Sequence, residues 1–252
     1  MKEIIQTRLK EIEQEENIRI LLAVESGSRA WGFASPDSDY DVRFIYVRPK
    51  EEYMRLETVR DVLEYPIDSE LDINGWDLNK TLRLLRNSNP TLFEWFSSPI
   101  IYKEDPDAEK LRLILPTYFS PKRGLSHYLS MAINNYRTYL KEETVKTKKY
   151  FYVLRPVLAC RWILDRRTPP PMLFSDLMKT ELPPALIPET ENLLDLKMNS
   201  PEIKTIPRIV TLNCYLDESI EEIRSIIEKM PDDALHGWEE LNRIFLSLVT
   251  IK

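Results

Sequence analysis

Two aspartates one residue apart, Asp39 and Asp41, stand at the mouth of the strand-like run Tyr40 to Val47. Residues two apart on a strand share a face, so both carboxylates converge on one point. Carboxylates held that close repel unless a cation lies between them. Hard oxygen donors of this kind suit Mg²⁺ or Mn²⁺, ions that also bind substrate phosphates. Upstream, the apolar run Ile18 to Val24 reads as a buried strand that stops at polar Glu25 and Ser26, after which Gly27-Ser28 turns the chain. Gly27 permits a close backbone approach by a ligand, and Ser28 with the N–H groups of a short following helix offers donors to phosphate oxygens. Asp and Ser are also ordinary turn residues. Against that plainer reading, two of the chain's five glycines fall in this stretch, and two acids interrupt a strand entry that would otherwise be apolar. Asp37 lies outside the alternation and reads as a loop acid.

A third carboxylate would complete a two-metal site. Asp68, Glu70 and Asp72 share one face of a further short strand, and Asp72 alone is bracketed within it by apolar residues, Leu71 and Ile73. Asp72 is therefore expected both to bind the metal and to accept the proton of an attacking hydroxyl; its plainer reading is an exposed strand acid. Arg29 and Arg43 are phosphate candidates. Arg43 shares the face of Asp39 and Asp41, where it also serves as an ion pair that keeps Asp41 charged. Lys148 and Arg155, seven apart with Tyr152 between them, would hold a nucleoside triphosphate across a cleft, although Pro156 is expected to break or kink their helix. Asp77 is better explained as a helix cap. His127 and His236 have no partner in a nucleophile arrangement, and there is no P-loop or dinucleotide fingerprint.

The string Gly27-Ser28, Gly32, then Ser38-Asp39-Tyr40-Asp41-Val42-Arg43-Phe44-Ile45-Tyr46, in a strand-turn-strand setting, resembles the polymerase β-like nucleotidyltransferase superfamily. With Asp72-Ile73-Asn74-Gly75-Trp76-Asp77-Leu78 and the later Lys148-Lys149-Tyr150-Phe151-Tyr152-Val153-Leu154-Arg155-Pro156 and Pro169-Pro170, it is similar to the RlaP-like branch, nucleotidyltransferases associated with RNA ligases. The resemblance covers about the first two thirds of the chain. It implies transfer of a nucleoside monophosphate from a nucleoside triphosphate such as ATP to an acceptor hydroxyl. It also implies an RNA end as acceptor and an RNA ligase pathway partner.

The elements that must position these residues follow from periodicity. Ile4, Ile5, Leu9 and Ile12 mark an amphipathic helix over 2–16 that packs on the sheet. Strands at 18–24, 40–47, 60–65 and 70–75, with an edge strand at 100–102, make a small mixed α/β (α+β) sheet with flanking helices. Beyond Asp105-Pro106 the pattern is helical, at 107–117, 121–142, 146–166, 184–196, 217–229 and 232–250, and the prolines at 169–171 and 183–184 mark a loop-rich connection. The expected organisation is a catalytic domain over 1–115 followed by an α-helical lobe over 116–252.

At 252 residues and 43% hydrophobic, the chain can bury a sizeable core. Net charge is −6, yet from Lys122 to Arg167 eleven Lys or Arg face three acids, Glu142, Glu143 and Asp165. Such asymmetry suits a protein that meets a polyanion with one part only, or else solvated helix faces. The aromatics Tyr128, Tyr136, Tyr139, Tyr150, Phe151 and Tyr152 are interleaved with these bases, as in single-strand grips, though helical aromatics are more often core. Cys160 and Cys214 lack zinc-ligand spacing or a disulfide framework, and no apolar run approaches the ~20 residues of a membrane helix, so a cytoplasmic protein is expected. The expected activity is metal-dependent nucleotidyl transfer to an RNA end through the basic lobe. The alternatives are adenylylation of a protein or small molecule, and a non-catalytic nucleotide- or RNA-binding module. Base preference and oligomeric state are not encoded in any motif.

Overall fold

The computed structural model describes residues 1–65, 70–201, 204–234 and 236–250. Compactness divides the chain into two units, neither continuous in sequence. One comprises Met1–Gly27, Asp39–Tyr118 and Leu235–Lys252, the other Ser28–Ser38 and Phe119–Ala234. A linear boundary near 115 does not express this exchange. The motif segment 28–38 belongs with the helices, and the C-terminal segment with the sheet.

In chain order, α1 (Lys2–Glu15) buries Ile5, Leu9 and Ile12, the three- and four-residue spacing of one helix face. Strand β1 (Arg19–Glu25) follows, then the single turn α2 (Gly27–Ala30), β2 (Tyr40–Val47), α3 (Lys50–Tyr53), β3 (Val62–Glu64) and β4 (Leu71–Asp77). Next come α4 (Leu78–Arg86), α5 (Pro90–Phe96), β5 (Ile101–Glu104) and α6 (Ala108–Tyr118). The sheet order is β3-β4-β2-β1-β5. The β2/β4 pair is parallel, and β1 runs antiparallel to β2 and β5. This is the mixed sheet with flanking helices that the sequence predicts, with 101–104 at its edge. Strand β1 is buried almost throughout, as a central strand must be. Burial in β4 alternates: Leu71, Ile73, Gly75 and Asp77 face the core, while Asp72, Asn74 and Trp76 lie on a half-exposed face.

The second unit contains α7 (Pro121–Tyr139), β6 (Thr144–Lys146), α8 (Thr147–Arg166), α9 (Phe174–Glu181), α10 (Ile187–Met198), β7 (Thr205–Pro207) and α11 (Val210–Lys229). The last helix, α12 (Glu239–Val249), belongs to the sheet unit. Helix α8 continues through Pro156. The helix is buried on nearly every side around the proline, from Tyr150 to Cys160, and that packing outweighs the ~3 kcal/mol an interior proline costs. Helix α9 lies in the connection that prolines marked as loop-rich. It packs through Phe174, Leu177 and Met178, a stripe too short to stand out beside its proline neighbours. The small β6/β7 ladder pairs Thr144–Lys146 with Thr205–Pro207 and was likewise not foreseen.

Candidate active site

On the sheet, parallel register sets Asp41 opposite Asp72, and Arg43 opposite Asn74. Both aspartates project from the half-exposed face, and Arg43 lies between them. Its Nη2 donates to Asp41 Oδ1 at 3.0 Å and to Asp72 Oδ2 at 2.6 Å, while Nη1 donates to the carbonyls of Val42 and Asp72 at 3.1 and 2.8 Å. One guanidinium therefore supplies the positive charge that two neighbouring carboxylates require. Asp39 is exposed, just before β2. The acid weighed beside Asp72 at position 68 lies outside the described residues.

Gly27, two residues past β1 and the first of α2, has φ +59°, and a Cβ there would lie 2.0 Å from Asp41 Oδ2. Glycine is thus required twice, by the backbone angle and by the approach of the carboxylate. The Ser26 N–H donates to the Asp41 carbonyl at 2.8 Å. Glu25, which the sequence marked only as the end of the apolar run, is fully buried. Its Oε1 accepts from the Asp41 backbone N–H at 2.7 Å, and its Oε2 accepts from the Tyr102 hydroxyl. The backbone from which the Asp41 carboxylate projects is thereby fixed by a buried acid. The available signal was a lone acid ending an otherwise unbroken apolar strand.

At the far end of β4, Asp77 caps α4 as expected, its Oδ1 accepting from the Asn79 N–H at 2.7 Å. Oδ2 accepts from the Tyr53 hydroxyl at 2.9 Å. Burial pushes its carboxyl up to about 6, against the opposing pull of these hydrogen bonds and of Arg48.

Within the helical unit, the motif segment is anchored by a residue the sequence did not single out. Lys197 of α10 is buried and donates through Nζ to the Phe33 carbonyl at 2.7 Å and to the Ser35 hydroxyl at 3.3 Å, with Ser38 Oγ at 3.5 Å. Ser35 and Ser38 hydroxyls meet at 2.9 Å, and Arg29 Nη2 donates to the Ser38 carbonyl at 2.6 Å. Arg29 is thus engaged in holding its own loop. Phe33 is buried against Phe151 and Phe174, with ring centroids 5.0 and 5.5 Å away. Nothing in the spacing of Lys197 distinguishes it from a surface lysine on a helix, because its partners are more than 150 residues away.

Ser28 and Lys148 are half-exposed, whereas Arg155 is buried with its guanidinium 4.7 Å from the Trp31 ring centre. Of the aromatic group, Tyr128, Tyr150 and Phe151 are core. Several bases of the basic stretch are neutralised locally: Lys122 by Asp232, Arg161 by Glu222, and Arg166 by Asp165 and Glu181. Cys160 is buried and Cys214 exposed, both as free thiols.

Asp41 and Asp72 offer hard oxygen donors beside a glycine cradle, and that chemistry fits a divalent cation. Among the described residues, no three His, Cys, Asp or Glu side chains are gathered closely enough to hold a metal ion. No helix among the described residues is long and apolar enough to cross a membrane.

A mixed sheet with paired aspartates near a glycine turn is the setting expected of a polymerase β-like nucleotidyltransferase, and the family model gives that class to the chain. The RlaP family model, described as the RNA repair pathway DNA polymerase beta family, matches residues 1–247, and the chain belongs to that family. It is 47% identical over 251 residues to the uncharacterized protein YcgL of Bacillus subtilis (strain 168), covering 99% of this chain and 96% of that one. A nucleotidyltransferase-like protein from Exiguobacterium sibiricum 255-15, known from a crystal structure, aligns with 97% of this chain and 88% of its own at 12% identity and a TM-score of 0.33.

Proposed function

We propose that this nucleotidyltransferase moves a nucleoside monophosphate from a nucleoside triphosphate to a hydroxyl at an RNA end, releasing pyrophosphate, in the cytoplasm and in a pathway shared with an RNA ligase. The observation that carries the reading is the pairing of Asp41 with Asp72 across parallel strands, with Gly27 leaving room at Asp41 and Arg43 shared between the two carboxylates.

In the proposed step the acceptor oxygen attacks the α-phosphorus, and the bond to the pyrophosphate oxygen breaks with its electron pair leaving on pyrophosphate. Asp72 takes the hydroxyl proton. Asp39, Asp41 and Asp72 would hold Mg²⁺ or Mn²⁺, which when bound supplies charge neutralisation for the triphosphate and acidity to the acceptor hydroxyl. Arg43 stands beside the developing charge. Gly27, Ser28, Arg29 and Lys148 are assigned to the phosphates, whereas Arg155, the fifth phosphate candidate of the sequence, is buried against Trp31 and is assigned to holding that ring. Positioning and charge stabilisation therefore do most of the catalysis.

The test is incubation of wild type and an Asp39→Ala/Asp41→Ala variant with Mg²⁺, α-labelled nucleoside triphosphates, a pool of small RNAs and cell protein. Label on RNA with wild type alone is expected. Label on protein or a small molecule instead would replace the acceptor, and nucleotide binding with no transfer would leave a binding module.

A further inference from the structure

Beside the carboxylate pair, the sheet unit carries a pocket of about 510 Å³, within the size range of sites that hold a small organic ligand. Its lining includes Arg43, Asp72, Asn74, Trp76, Thr91 and Trp95. Three of these, Asp72, Asn74 and Trp76, are alternate residues of β4, so the strand itself presents a carboxylate, an amide and an indole in a row. Trp76 is half-exposed. Trp95, buried on α5, backs it with ring centroids 4.2 Å apart and an angle of 38° between the planes. Helix α5 is itself fixed, by Pro90 in its first turn and by the Asn89 cap on the Thr91 N–H. The indole shelf is therefore backed from below, and Trp76 keeps part of its surface open to a pocket that also holds Arg43, Asp72 and Glu64.

We infer that this pocket receives the terminal nucleoside of the acceptor strand, its base stacked on Trp76, its edge read by the Asn74 amide, and its ribose hydroxyl directed to Asp72. The inference rests on the proposed RNA-end reading and names the part of the protein that grips the end. Sheet order separates the acceptor from the leaving group. Strand β2 stands between β1, which leads to the Gly27 turn assigned to phosphate, and β4, which carries the shelf. Stacking tolerates every base, whereas an amide edge adds a modest preference.

The test uses a short RNA whose 3′-terminal base is 2-aminopurine, with Trp76→Leu as the variant that keeps an apolar side chain but removes the indole, its fold checked by circular dichroism. Stacking quenches the probe. Wild type should quench a 3′-terminal probe and not one at the 5′ end, and Trp76→Leu should lose the quench. In labelling assays the same variant should raise the RNA KM about tenfold or more, the worth of one base stack. The KM for nucleoside triphosphate should not change, and an abasic 3′ terminus should show the same penalty in wild type and none further in the variant. Equal quenching in wild type and variant, or equal use of intact and abasic RNA, overturns the shelf while leaving the RNA-end reading in place. Label appearing only on protein or small molecules overturns both.

Discussion

Two charged clusters handle a cation in opposite ways. On the sheet, Arg43 sits between two carboxylates, all three half-exposed, and the charges balance one another near water. In the helical unit, Lys197 is buried and its ammonium meets a carbonyl and two serine hydroxyls. The first cluster can exchange its cation for a ligand's charge at modest expense, because solvent screens what is lost. The second cannot, since removing the ammonium strands the Phe33 carbonyl in the core. The site proposed to admit metal and phosphate is built the first way. A loop that must keep its shape is built the second.

The comparison breaks most severely at the residue where chain conformation and carboxylate meet. Gly27→Ala forces a left-handed angle on alanine and drives its Cβ into Asp41. We expect a fall of about a hundredfold in kcat for transfer, the scale of a ~1 Å misplacement, with the fold retained. Undiminished turnover in single-turnover kinetics would show that the Asp41 position is not critical. Lys197→Met should lower unfolding stability by about 2 kcal/mol in urea titrations and speed hydrogen exchange in residues 33–38. High salt should leave that difference unchanged.

Asp77 is a buried carboxyl of the sheet and places the contrast within one strand. Its folded pKa, raised to about 6, lies above the unfolded value, so its contribution is fully present below about pH 4 and is lost as pH rises through 6. Asp77→Asn keeps a good cap and should abolish that slope, making the variant more stable than wild type at pH 7 by about 2 kcal/mol. Thermal melts from pH 4 to 8 would show it, and parallel wild-type and variant curves would refute the burial argument. The smallest effect is expected at Arg43→Gln. Stability should shift by under about 1 kcal/mol, while Mn²⁺ binding followed by electron paramagnetic resonance should tighten a few-fold, because two carboxylates lose their resident cation. Unlike the lysine variant, this difference should shrink in high salt.

The legible parts of the molecule are those written in short range. Alternation around Asp41 and Asp72 gave strands with the right faces, and Asp77 announced its helix one residue ahead. Glu25 was hidden because a polar residue after an apolar run ordinarily means the strand has ended. Lys197 and the β6/β7 ladder were hidden because their meaning depends on contacts from 59 to 164 residues away. The charge excess from Lys122 to Arg167 was visible, but not the acids at 181, 222 and 232 that offset part of it.

The exchange of segments between the two units also governs how the molecule can be made. The chain passes from one unit to the other at Gly27/Ser28, Ser38/Asp39, Tyr118/Phe119 and Ala234/Leu235. A polypeptide emerging from the ribosome therefore holds all five strands of the sheet long before α12 arrives to pack against α4. Until Lys197 is synthesised, the segment 28–38 lacks its clamp. A fragment ending at 118 would hold all five strands yet lack both the clamp and α12, so the finished sheet waits on distant segments for part of its packing.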